Sequence, residues 1–214
     1  MRHHSQRVPN KNFRDLAGKP LFHYIIDTLL DCPEIERVVV NTDSRPIQED
    51  LAKNYEKVTV LVRPPKLCAD TVSMNEILLY DTEHVKSELY LQTHSTNPML
   101  KAATISKAIR EFTAQRDEYD SLFSVTRVQT RFWDRFTRPI NHDPEVLIQT
   151  QDLPPIYEEN SCIYIFAAEN LRKRGTRIGW KPLMFETPVD EALDIDEEID
   201  FLIADLLMRN RKKS

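Results

Sequence analysis

The chain predicts an α/β domain, three layers deep (α/β/α), around a mainly parallel sheet. Two observations carry that expectation. Short runs of β-branched residues alternate with stretches whose apolar residues recur at helical spacing, the pattern of strands joined by crossover helices. The 214 residues, 41% of them hydrophobic, suit one core, so residues 1–214 are expected to form a single domain.

The elements follow in order. PLFHYIIDTLLD (20–31) places Leu21, Ile25, Thr28 and Leu29 on one helical face, with Pro20 suited to the first turn. ERVVVNTD (36–43) reads as a buried strand. SRPIQEDLAKNY (44–55) opens on the N-cap Ser44 and reads as a helix. VTVLVRP (58–64) is a strand stopped by Pro64 and Pro65. DTVSMNEILLYDTEHV (70–85) is a helix, with Asp70 as its cap and Met74 in its core; ELYLQT (88–93) is a strand. Residues 99–115 form a helix and SLFSVTRV (121–128) a strand. From Gln129 the period breaks, and the aromatic, charged and proline-rich segment at about 129–158 is expected to be an arm, with room for a small β-hairpin. SCIYIFAAE (161–169) resumes as a strand, 167–174 is a short helix and PLMFETP (182–188) a strand. Residues 196–211 close the chain as an amphipathic helix with Ile199, Leu202, Ile203, Leu206 and Leu207 inward.

Composition excludes several functions. A net charge of −5 argues against a nucleic-acid polymer or an anionic membrane as partner. No apolar run approaches the roughly 20 residues of a membrane span, and no apolar signal-peptide stretch opens the sequence. Three widely spaced cysteines, Cys32, Cys68 and Cys162, fit reduced thiols in a cytoplasm. With only three glycines there is no glycine-rich phosphate loop, so any phosphate cradle is built from side chains.

Two clusters carry chemistry. Arg2, Arg7 and Lys11 bring three fixed positive charges into ten residues beside Ser5 and Asn12, a pattern that suits a polyphosphate but also a plain polar terminus. Asp194 and Asp196 alternate, so on an extended segment both face one hard cation; the same spacing also suits acidic capping of the last helix. His3 and His4 are expected to be loop residues rather than metal ligands, and His94 and His142 have no evident partner.

Taken together these residues resemble a known signature. Arg2-x-x-Ser5-x-Arg7-Val8-Pro9-x-Lys11-Asn12 followed by Leu16-Ala17-Gly18-Lys19-Pro20-Leu21, then Asn41-Thr42-Asp43, Arg63-Pro64-Pro65-x-Leu67-x-x-Asp70-Thr71, and Leu91-Gln92 leading to Asn97-Pro98 are similar to the CMP-sugar-acid synthetases. Asp152-Leu153-Pro154-Pro155 before Asn160-Ser161-x-Ile163-Tyr164, and Asp194-Ile195-Asp196-x-Glu198-x-Asp200, continue the match. These are the acylneuraminate cytidylyltransferases, nucleotidyltransferases of Rossmann-like fold, and the resemblance covers essentially the whole chain in order.

The resemblance implies transfer of CMP from CTP to a 2-keto sugar acid of the sialic-acid (nonulosonate) class, with release of pyrophosphate. It implies Arg2, Ser5, Lys11 and Asn12 on the triphosphate, with Arg7 substituting where relatives carry a basic residue at Gln6. Arg63, Asp70 and Thr71 fall near the nucleotide, with Val72 and Met74 at contact positions. Gln92, Asn160 and Tyr164 fall on the sugar, and Asp194 and Asp196 on magnesium. Arg2, Lys11 and Asp196 are the expected catalytic groups, and the arm, with Phe132, Trp133 and Phe136, is expected to support a homodimer.

The sequence also departs from the family. Relatives place a buried strand before the basic loop, whereas Met1 here directly precedes the loop arginine. The expectation is a sheet lacking its first strand, less stable or less active than a chain extended upstream by about 6–10 residues. Thr150 and Glu158 stand where sialic-acid enzymes carry arginines, so the sugar carboxylate needs another partner, Arg127, Arg131, Arg135 or Arg138, or the substrate differs. A sugar-1-phosphate nucleotidyltransferase would use a similar sheet with a glycine-rich loop, and a non-catalytic CTP-binding relative is the remaining alternative.

Overall fold

A computed structural model of the chain describes residues 1–2 and 7–211. In chain order the elements are β1 (Asp15–Leu16), β2 (Lys19–Pro20), α1 (Leu21–Leu30), β3 (Val38–Thr42), α2 (Arg45–Asn54), β4 (Val58–Val62) and α3 (Met74–His84). There follow β5 (Tyr90–Gln92), α4 (Ala102–Ala114), β6 (Ser121–Val128), β7 (Ile156–Phe166), α5 (Ala168–Arg174), β8 (Pro182–Glu186) and α6 (Glu198–Arg211).

β3 and β4 pair in parallel, Val38 opposite Val58. A four-stranded sheet has the order β5-β7-β6-β8. β6 and β8 are parallel, and β7 alone runs against both its neighbours. The strands therefore point mainly one way. Alternate residues of β7 face two different layers. Ile163 and Ile165 join Phe22, Ile25 and Ile26 of α1 with Ile105 and Phe112 of α4; Tyr164 and Phe166 join Leu78 of α3 and Leu171 of α5. A third cluster packs the opening loop (Val8, Leu16, Ala17) and α1 (Leu21, Tyr24) on Phe201, Ala204 and Met208 of α6.

Several expectations need correction. α3 starts at Met74, capped by Ser73, whose hydroxyl accepts from the Glu76 amide while the Glu76 carboxylate accepts from the Ser73 amide. Asp70 is thus not its cap, and Met74 is 38% exposed rather than in the core. β7 begins at Ile156, inside the expected arm; the arm's own pairing is a single bridge, Trp133 with Pro139. α6 has the expected span but the opposite face inward. Ile199, Leu202, Ile203, Leu206 and Leu207 are all exposed. Two apolar stripes compete on this helix. Asp205, on the flank of the buried one, accepts from the Ala17 amide at 2.7 Å and anchors that face to the loop.

β3 and β5 share no ladder. Between their facing edges lies a cleft of about 720 Å³, lined by Val38, Val39, Leu91, Ile109, Phe112 and Phe166. At its upper end the Met1 amine donates to the Asn41 carbonyl of β3. Among the described residues no strand pairs with the facing edges of β3 and β5.

Candidate active site

The basic loop and the acidic segment meet. Lys11 opens a short 3-10 turn after Asn10, which adopts the left-handed conformation (φ 53°). Val8, fully buried, pins the loop. From there Lys11 Nζ reaches Ile195 O at 2.5 Å and lies 3.8 Å from Asp196. Arg7 donates to Asp196 at 2.7 Å and to Glu197 at 3.2 Å. Asn12 donates to Arg2 O at 3.1 Å and accepts from Ser95 at 2.9 Å, while Arg2 pairs with Asp70 at 2.6 Å. Residues nearly two hundred positions apart thus converge on one cluster. Ser5 lies outside the described residues.

Exposed ion pairs contribute little to stability. Arg7 with Asp196 and Arg2 with Asp70 are such pairs, so these guanidinium groups can exchange carboxylates for phosphate at small cost. Asp194 differs. It is half-buried, its buried Oδ1 has no hydrogen-bond partner among the described residues, and burial pushes its carboxyl above the usual range, partly offset by a hydrogen bond from Thr96. A raised carboxyl pKa means the folded state binds the proton more tightly. Stability is therefore greatest below the ordinary carboxylate pKa and falls as pH rises through the window up to the raised value. Asp194→Asn should raise the melting temperature at pH 7; a lower melting temperature would contradict the strained carboxylate.

The expected nucleotide side is a small cavity of about 170 Å³ reached by Met1, Asn41, Arg63, Met74 and Gln92. Arg63 is buried, and its Nε and Nη2 donate to the side chain and carbonyl of Asn41 at 2.7 and 3.2 Å. Burial lowers its pKa, with Asp43 and Asp81 opposing. Asn41 in turn donates to Asp81 on α3 at 2.5 Å. Arg63 thus fixes the end of β3 while flanking the cavity. Asp70 and Thr71 sit on an exposed turn ahead of α3, so Asp70 meets the loop arginine rather than helix amides.

The expected sugar side gathers on β5 and β7, where Gln92 stands opposite Tyr164 in the ladder. Tyr164 is fully buried, and its hydroxyl meets Glu159 and Ser161. Asn160 serves the strand itself. Its Oδ1 accepts from Ser124 at 2.6 Å and from the Cys162 amide, its Nδ2 donates to Thr126 at 3.0 Å, and Ser161 beside it has φ 59°. These bonds span the register shift between β6 and β7 and leave its side chain engaged by protein. Glu158 is exposed on β7 opposite Thr126. The arm arginines bond within the arm or its flank: Arg127 to Gln129, Arg131 to Ile148 O, Arg138 to Asp134, and Arg135 over Phe136.

Sequence reasoning passed over Arg177 and Asp81, and left His94 without a role. Arg177 donates to Gln92 Oε1 at 2.5 Å and lies 3.5 Å over the Tyr164 ring. The buried Nε2 of His94 has no partner among the described residues, and burial, then Arg177, push its pKa down to about 4. Neither lies in a local motif, because the connection is made across strands.

Comparison with known proteins decides the family. A family model described as Cytidylyltransferase matches residues 1–201. The chain belongs to the cytidylyltransferase family. Over 209 residues the chain is 29% identical to N-acylneuraminate cytidylyltransferase A of Danio rerio, covering 94% of this chain and 47% of that protein. It therefore spans about half the length of that relative. It is also 29% identical to CMP-N,N'-diacetyllegionaminic acid synthase of Legionella pneumophila, over 95% of this chain and 91% of the other. The solved structure of CMP:2-keto-3-deoxy-manno-octonic acid synthetase complexed with CTP superposes with a TM-score of 0.73 at 12% identity, covering 99% and 96% of the two chains. The 4-diphosphocytidyl-2C-methyl-D-erythritol synthase of Anaerococcus prevotii gives 0.69 at 11%. These last two establish the α/β nucleotidyltransferase fold.

Proposed function

We propose that this chain transfers the cytidylyl group of CTP to a 2-keto sugar acid of the nonulosonate class and releases pyrophosphate. The observation that carries the reading is the meeting of Lys11 with the Asp194–Asp196 segment. The anomeric hydroxyl of the sugar attacks the α-phosphorus, the bond to the β-phosphate bridging oxygen breaks, and the hydroxyl proton leaves to solvent. Lys11, Arg7 and Arg2 neutralise the triphosphate and hold the departing pyrophosphate, so the protein contributes chiefly position and charge.

Magnesium is the proposed cofactor, and Asp194 and Asp196 fit it: one contributes a buried oxygen without a partner, the other a half-exposed carboxylate. Among the described residues no three His, Cys, Asp or Glu side chains gather as a metal site, so the remaining ligands of such an ion would have to come from phosphate and water. Bound there, magnesium would neutralise charge on the reacting phosphates. The test is pyrophosphate release from CTP, UTP, GTP and dTTP against a panel of nonulosonic acids, with and without magnesium. Release with CTP alone supports the reading; UTP or dTTP with a sugar 1-phosphate as acceptor overturns it.

The reading extends to a homodimer formed through the arm. Leu147 is 90% exposed, in a surface run with Val146 and Ile148, and Phe136, Ile140 and Trp133 are exposed on the same excursion. Leu147→Asp should convert a dimer to a monomer in light scattering with little change in monomer stability; an unchanged mass would exclude the arm. No helix among the described residues is long and apolar enough to cross a membrane, and three free thiols suit a cytoplasmic setting.

A further inference from the structure

We propose that Arg177 receives the carboxylate of the sugar acid and so sets the requirement for an acidic acceptor. This rests on the cytidylyltransferase reading above and deepens it. A sugar acid brings a fixed carboxylate, and the arginines expected to meet it are absent or occupied. Thr150 and Glu158 hold two of those places, and Arg127, Arg131, Arg135 and Arg138 remain in or beside the arm with partners there.

Arg177 meets the need. It is half-buried between α5 and β8, and among the described residues no carboxylate lies within 4.0 Å of it. Its guanidinium is held flat by the face of Tyr164 and by a bond to Gln92, two side chains paired across β5 and β7. One N–H is used by Gln92, and the remaining donors have no bonded protein acceptor among the described residues. A stacked guanidinium with free donors presents a ready fork for a planar carboxylate. The loop that carries it is fixed. The Arg177 amide donates to Asn75 on α3 at 3.1 Å. Gly179, which donates to Ser121 at 2.7 Å, lies so near Asp120 that a Cβ would fall 2.0 Å from its carboxylate. Close by is His94, half-buried, whose buried Nε2 has no hydrogen-bond partner among the described residues and on which the charges of Arg177, Lys11 and Asp196 act.

The test is calorimetric titration of the chain, first with CTP, then, with a non-cleavable CTP analogue bound, with N-acetylneuraminate and its methyl ester and with 3-deoxy-manno-octulosonate and its methyl ester. Wild type should prefer at least one acid over its ester. Arg177→Met should weaken that acid about 10–100-fold, the loss of one charge-assisted bidentate contact, leave the ester and CTP within about two-fold, and so erase the preference. Arg177→Lys, which keeps charge without the fork, should recover part of it. A purely structural tie between β7 and its loop would weaken acid and ester alike and overturn the assignment. So would a wild type that holds CTP without preferring either acid, or an Arg177→Met chain that keeps the preference. Absence of CTP binding to wild type would instead remove the cytidylyltransferase reading, and this assignment with it.

Discussion

Asp196→Ala should lower cytidylyl transfer by about 10³-fold or more while leaving the melting temperature within about 2 °C. The carboxylate is 47% exposed, and its contacts are Arg7 at 2.7 Å and Lys11 at 3.8 Å. Surface pairs of this kind carry well under about 1 kcal/mol, so the fold has little to lose. The reaction has much to lose, since groups preorganised on developing phosphate charge commonly account for about 10²–10³ each, and Asp196 both orients Lys11 and supplies half of the proposed magnesium site. Capping of α6 makes the contrary prediction. The Asp196 side chain lies just ahead of the first turn of α6, and if it served only to complement that helix end, substitution would shift stability and spare turnover. Pyrophosphate release and thermal melting on the same preparation separate the two.

The second large effect concerns the cleft between β3 and β5. An apolar, β-branched segment of about seven residues joined ahead of Met1 should raise the melting temperature by about 10 °C. Two strands face each other there with unsatisfied edges across about 720 Å³. A strand covered on both faces would bury all of its roughly seven Val- or Ile-sized side chains at about 1.5–3 kcal/mol each, against an ordering cost of about 1–2 kcal/mol per residue. A net gain of a few kcal/mol corresponds to a shift of this size in a domain of 150–250 residues. The amino end supports the same direction. Burial pushes the Met1 amine down to about 5, followed in effect by Arg63. In a peptide bond that nitrogen would be an uncharged donor still directed at Asn41. Amide exchange at Val38–Thr42 and Tyr90–Gln92 should slow in the extended chain. Unchanged melting and exchange would show that the cleft accepts no strand.

Much of this was legible from residues alone. α1, β3, β4 and β6 fall within two residues of their expected spans, since each is a bounded run with one clear period. The loop lysine, Asn12 and the Asp194–Asp196 pair stand out in the sequence because each lies in a compact motif, and the structure brings Lys11 to the Asp194–Asp196 segment. Where reading failed, the deciding contact was non-local. α6 carries two apolar stripes that satisfy the helical period, and only the bond from the Ala17 amide to Asp205, with Leu16 and Tyr24 waiting beneath, selects Phe201, Ala204 and Met208. Asp70 looked like a cap because the helix start was placed four residues early; Ser73 and Glu76 hold that role. The amide of Asn160, expected on the sugar, is engaged by Ser124, Thr126 and Cys162 across a strand irregularity no local pattern announces.

By itself, then, the sequence determined the order of elements, the family and the two charged clusters, because spacing and composition are properties of neighbours along the chain. The tertiary structure alone decided the reversal of β7, the inward face of α6, the unpaired edges of β3 and β5, and the seating of Arg177 on Tyr164 beside a residue 85 positions away. Those depend on which surfaces meet, and burial and pairing energies act between parts of the chain that no local period connects.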